Sequence, residues 1–87
     1  MAYRVEFLKT AAEELAVLPQ ADQRRIAARI DALRDNPRPP GVKMLAGGDK
    51  LYRVRVGDYR LIYSIDGKKL VVLVIRIGHR KDVYRKR

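Results

Sequence analysis

Residues 70–77 read LVVLVIRI, a stretch in which Arg76 is the one polar side chain. A strand with one wet face alternates apolar and polar residues, whereas a run apolar at nearly every position belongs to a strand covered on both faces. This run therefore predicts a central strand, and the remaining chain has to build a sheet around it. With 87 residues there is room for one domain, 1–87, and for one sheet with helices on one face.

The rest of the pattern agrees with that plan. Tyr3, Val5 and Phe7 alternate with Arg4 and Glu6, the period of a half-buried strand. Thr10 and Glu13 have the spacing of a capping box, and Ala11, Leu15 and Leu18 follow on one side of a first helix. Pro19 suits the first turn of a second helix, in which Ile26, Ile30 and Leu33 recur at helical spacing. Asn36-Pro37 stops it. Residues 38–50, RPPGVKMLAGGDK, hold no sustained period and read as a connecting loop, long enough to favour a functional one. Two further strands, LYRVRV (51–56) and YRLIYSI (59–65), precede KLVVLVIRI (69–77). Gly57-Asp58 and Asp66-Gly67 suit tight hairpin turns between them. The expected fold class is α+β, in the order β-α-α-β-β-β, with a helical hairpin on a mainly antiparallel sheet and a short basic tail.

Charge adds a direction. The net charge is +10, and residues 1–36 contribute none of it, with six basic and six acidic residues. Residues 37–87 hold fourteen basic residues against four acidic ones, the asymmetric footprint of a protein that meets a polyanion. There is no cysteine and one histidine, so disulfides are excluded and a metal centre is not expected. No cofactor is implied. No apolar run approaches a bilayer span and the N-terminus lacks a signal-peptide layout, which predicts a cytoplasmic protein without a membrane partner.

If Gly57 and Asp58 form a two-residue loop, Val56 faces Tyr59, Arg55 faces Arg60 and Arg53 faces Ile62. Residues opposite each other, and residues two apart along a strand, share a face. Arg53, Arg55 and Arg60 then project together. Like charges placed opposite cost stability, and the guanidinium fork matches phosphate oxygens in pairs. An edge hairpin with a solvated basic face explains one or two such charges better than three. Arg76, inside the apolar strand, fits a structural role, its head reaching a carboxylate or solvent.

The segment YRVRVGDYRLIYSIDGKKLVVLVIRIGHRKDVYR, residues 52–85, resembles the RelE toxins of the RelE/ParE superfamily, and the helical hairpin before it fits the same plan. Its most specific parts are Tyr-Arg-Leu in the second hairpin strand and Gly-His-Arg followed by Val-Tyr. The resemblance implies a ribosome-dependent mRNA endonuclease toxin of a type II toxin–antitoxin system, cutting mRNA in the A site of the 70S ribosome and held inactive by a RelB-like antitoxin with an acidic or amphipathic binding segment. It carries family roles onto Arg53, Arg55, Arg60, Arg80 and Tyr84. The first two positions are lysines in other members, one of them assigned as general base, a role arginine does not take near neutral pH.

Metal-independent RNA cleavage uses the 2′-hydroxyl as nucleophile. It needs a proton acceptor, charge stabilisation on the phosphorane, and a donor for the leaving oxygen. The arginines suit the second task. Tyr84 is a candidate base or a stacking platform. His79 is a candidate base, or a histidine that hydrogen-bonds at the strand end. Asp82 is expected to pair with an arginine. Lys43, Lys50, Lys81, Arg85 and Lys86 extend the basic surface as nucleic-acid contacts. A ParE-like inhibitor of DNA gyrase, or an RNA-binding protein without toxicity, remains compatible with the same architecture.

Overall fold

A computed structural model describes residues 2–45 and 51–79. The elements are β1 (Arg4–Phe7), α1 (Lys9–Ala16), α2 (Gln20–Leu33), β2 (Lys43–Met44), β3 (Leu51–Val56), β4 (Tyr59–Asp66) and β5 (Val71–His79). The five strands form one sheet in the order β1-β5-β4-β3-β2. β1 runs parallel to β5 and every other pairing is antiparallel. The α+β class and the interior place of the apolar strand are as expected.

Helices cover one face. Tyr52, Val54, Val56, Leu61, Tyr63, Val72, Val74 and Ile77 are buried there against Ala11, Ile26, Ile30 and Leu33. On the other face Leu73 and Ile75 are only half-buried, so β5 is not fully covered on both sides. The cover there comes from side chains of neighbouring strands, including Arg4 and Glu6, whose ion pair is 3.0 Å long.

Five local expectations change. Residues 38–50 contain the short strand β2, which pairs Lys43 with Arg53 and Met44 with Tyr52. Two residues carry no readable alternation. The Thr10–Glu13 capping box does not form, because α1 starts at Lys9 from the extended residue Leu8 and has no side-chain cap. The sheet sets that start: Leu8 N–H donates to Val74 O at 2.9 Å, while Leu8 O accepts from Ala12 N–H at 3.0 Å. Pro19 is the N-cap of α2 and not its first helical residue. The β4–β5 connection is a four-residue loop, Gly67 to Leu70, instead of a tight Asp66-Gly67 turn, and β5 begins at Val71. Asp66 Oδ1 accepts both Lys68 and Lys69 N–H at 3.0 Å, which favours this wider turn. Finally, β5 carries a bulge: Ile62 faces Arg76 and Tyr63 faces Val74, leaving Ile75 as an extra residue.

The helical hairpin is fastened by Gln23, whose Nε2 donates to Ala16 O at 3.1 Å and Leu18 O at 2.9 Å. Carbonyls at a helix C-terminus otherwise lack a partner. The stretch after α2 is tied to the core by Tyr63, whose hydroxyl donates to Pro37 O at 2.7 Å. Tyr63 stacks on Tyr52 at 5.9 Å between ring centroids, and the Arg38 guanidinium sits 5.3 Å over the Tyr52 ring.

Candidate nucleic-acid interface

The β3–β4 hairpin has the register read from its turn. Val56 pairs with Tyr59, Arg55 with Arg60 and Arg53 with Ile62. Gly57 has φ +60°, which a two-residue turn with glycine first requires. Along β3, Tyr52, Val54 and Val56 are buried, so Arg53 and Arg55 face away from the helices. β2 then adds Lys43 opposite Arg53.

The result is a basic cleft of about 320 Å³ on the open face, lined by Gly41, Lys43, Arg53, Arg55 and Arg60. Among these residues there is no carboxylate. Arg55 is exposed and its Nε donates to Gly57 O at 3.1 Å, which steadies the guanidinium at the hairpin end. Gly78 stands opposite Arg60 on β5, so no side chain crowds Arg60 from that strand. Such a surface is suited to holding a phosphate and to stabilising added negative charge on it. Its lining is poor in groups that exchange protons near neutral pH.

His79 is placed elsewhere. It pairs with Tyr59 and meets that ring edge-on, with centroids 5.8 Å apart. Both line a depression with Glu14, Val17 and Leu18 on the helix side. The bulge is the reason. Uninterrupted alternation from Val74 would send residues 77 and 79 to the open face, but the extra Ile75 shifts the parity and returns Ile77 and His79 to the helix face. Of the candidates, the fold thus brings Lys43, Arg53, Arg55 and Arg60 together and sets His79 across the sheet. Lys50, Arg80, Lys81, Asp82, Tyr84, Arg85 and Lys86 lie outside the described residues.

Two tyrosines, the core Tyr63 and the half-buried Tyr59, are held neutral. Burial, then the neighbouring Tyr52, pushes the Tyr63 hydroxyl up to about 12. Partial burial first, then its hydrogen bond to Asp22 Oδ2 at 3.1 Å, raises Tyr59 above its ordinary value. Neither is suited to act as a base. Arg76 has the structural role expected of it, its Nε donating to Glu14 Oε2 at 2.9 Å.

Arg25 and Arg29 of α2, absent from the candidates read from the sequence, line a second cleft between α2 and β3. Their i, i+4 spacing beside Ala28 and Ala32 was the available signal. Among the described residues no group of three or more His, Cys, Asp or Glu could hold a metal ion, and no helix is long and apolar enough to cross a membrane.

Comparison with known proteins gives this arrangement a setting. Residues 5–84 match the family model described as ParE toxin of type II toxin-antitoxin system, parDE. The chain is 36% identical over 90 residues to toxin RelG of Mycobacterium tuberculosis, covering 99% of this chain and 100% of that protein. It is 30% identical over 88 residues to the mRNA interferase toxin RelE of Escherichia coli K12, covering 97% and 92%. Among solved structures, the archaeal RelE–RelB complex from Pyrococcus horikoshii OT3 superposes with a TM-score of 0.81 at 40% identity, over 92% of this chain and 97% of that one. The class is therefore that of toxins of type II toxin–antitoxin systems. Within it, this chain belongs to the RelE family.

Proposed function

We propose that this toxin is an endoribonuclease that cuts mRNA in the A site of the 70S ribosome, without a metal ion, and so inhibits translation. The observation that carries the reading is the pairing of Arg55 with Arg60, with Arg53 and Lys43 lining the same cleft. A fold gains nothing from setting two guanidinium groups opposite each other. A phosphodiester that gains charge during in-line attack by its 2′-hydroxyl does gain from them. The name of the E. coli relative, an mRNA interferase, supports the same chemistry.

In this reading Arg53, Arg55 and Arg60 hold the scissile phosphate and stabilise the phosphorane. Arg80 joins them, and Tyr84 acts as base or stacking platform, both assigned by the family pattern. Lys43, Lys50, Lys81, Arg85 and Lys86 contact RNA phosphates. His79 serves the packing of the β5 end against Tyr59. Because acid–base groups are sparse, the ribosome supplies part of the catalysis by fixing the in-line geometry, since positioning alone is worth about 7–11 kcal/mol. The inhibitor is a RelB-like antitoxin, as in the P. horikoshii complex, with an acidic or amphipathic segment drawn to the basic face.

The test uses purified toxin, 70S ribosomes and an mRNA, with 5′ ends mapped. Cleavage of translated mRNA, near-absence of cleavage of the naked transcript, and loss of both the cut and growth arrest in Arg80→Ala or Tyr84→Phe are expected. Equal cutting with and without ribosomes would reject ribosome dependence. The family model's ParE description favours a second reading, inhibition of DNA gyrase. Linear plasmid accumulating with gyrase while mRNA stays intact would establish it instead.

A further inference from the structure

We infer that the cleft between α2 and β3 holds a second phosphodiester of the same RNA strand whose scissile phosphate lies on the open face; this rests on the nuclease reading above. The cleft has a volume of about 440 Å³, and Arg25, Ala28, Arg29 and Ala32 of α2 face Arg55 and Gly57 across it. Those four helix positions form one stripe at i, i+3, i+4 and i+7.

Three guanidinium groups converge here, and among the described residues none of them has a carboxylate at ion-pair distance. Arg29 Nε is shielded from solvent and has no hydrogen-bond partner among the described residues. Arg25 and Arg29 are like charges one turn apart, which costs a helix stability. The carboxylate one turn earlier, Asp22, accepts instead from the Tyr59 hydroxyl. Arg25 is pressed against the turn, for a Cβ built on Gly57 would stand 2.9 Å from its Nη1. An anion answers all three charges at once.

Arg55 identifies that anion as part of a chain molecule. It lines both the open-face cleft and this one. Between them lies the edge of β3 beyond Arg53, which β2 leaves unpaired because its register reaches only Tyr52 and Arg53. A strand of phosphates crossing that edge passes from Lys43, Arg53 and Arg60 to Arg25 and Arg29 without leaving a basic surface. The Ala28 and Ala32 methyls offer nothing that reads a base edge, so the cleft positions the strand without selecting sequence.

The experiment measures binding of a short single-stranded RNA oligonucleotide by fluorescence anisotropy across a salt series, for wild type, Ala28→Glu and the double variant Arg25→Gln/Arg29→Gln. Ala28 is exposed, so its variant puts a negative charge into the cleft without touching the core, and thermal melts confirm folding. For every phosphate that the protein no longer neutralises, the slope of log affinity against log salt is expected to flatten by about 0.7, which is about eightfold in affinity at about 50 mM salt relative to about 1 M. Unchanged affinity and slope in both variants overturns the inference. So does a loss confined to 70S binding, which would assign the cleft to ribosomal RNA, or a loss confined to antitoxin binding. Arg53→Gln separates the two claims: if it abolishes cleavage while the α2 variants bind RNA normally, the second phosphate site fails and the nuclease reading stands. If wild type cuts no translated mRNA yet the α2 variants flatten the salt slope, the nuclease reading fails and the cleft remains an RNA phosphate site.

Discussion

Glu14 on α1 accepts the backbone N–H of Ile77 at 2.8 Å through one carboxylate oxygen and Arg76 Nε at 2.9 Å through the other. It thereby grips β5 just past the bulge at Ile75, the irregularity that turns His79 toward Tyr59 and away from the arginines. Glu14→Ala strips both donors of their partner and is expected to destabilise by about 1–3 kcal/mol, measured by urea unfolding. Glu14→Gln keeps one acceptor oxygen and should lose less. An equal loss in the two variants would show that the carboxylate does not hold the bulge.

The Arg55–Arg60 pair opposes stability and function. Arg55→Thr removes a cross-strand repulsion of about 0.5 kcal/mol, so the melting temperature is expected to hold or rise by about 2–4 °C. Cleavage of translated mRNA should fall about a hundredfold, the scale of losing one group that stabilises transition-state charge. A melting temperature several degrees lower, with full activity, would contradict both halves.

Tyr63 makes stability depend on alkaline pH. Its folded-state value is pushed up to about 12 from an ordinary 10.0, so below about pH 10 both folded and unfolded chains keep the proton and nothing is lost. Between about pH 10 and 12 the unfolded chain ionises first, and stability falls as pH rises. Tyr63→Phe should flatten that fall. It also leaves Pro37 O without its donor, at about 1–3 kcal/mol near neutral pH, so the two curves converge as pH increases. Parallel curves in denaturant melts at each pH would rule this out.

Gly57 is required by its φ of +60°, and the flexible tip of Arg25, its Nη1, lies where a Cβ would stand and would have to move aside. Gly57→Ala is expected to cost more than about 1 kcal/mol. Gly57→Asn should cost less in backbone strain, since asparagine enters the left-handed region more readily, but it still displaces Arg25. RNA binding should therefore weaken in both variants whatever their stability. Wild-type RNA affinity in Gly57→Asn would separate Arg25 from the ligand.

The amino-acid sequence alone determined the hairpin that carries the arginines, because a two-residue turn and a period of two leave one register, and Arg55 opposite Arg60 follows from it. It determined the interior strand as well, since LVVLVIRI has no polar face to offer water. Two features lay beyond it. The start of α1 is decided by the Leu8–Val74 hydrogen bond, which overrides the local Thr10–Glu13 signal. The side taken by His79 is decided by one extra residue, Ile75, whose bulge inverts the alternation that a reader of the sequence extends unbroken. Periodicity propagates only along an uninterrupted ladder. Where a strand slips by one residue, or where α2 and the β3–β4 hairpin come to form a cleft at Arg55, the outcome depends on how segments far apart in the chain meet, and only their packing decides it.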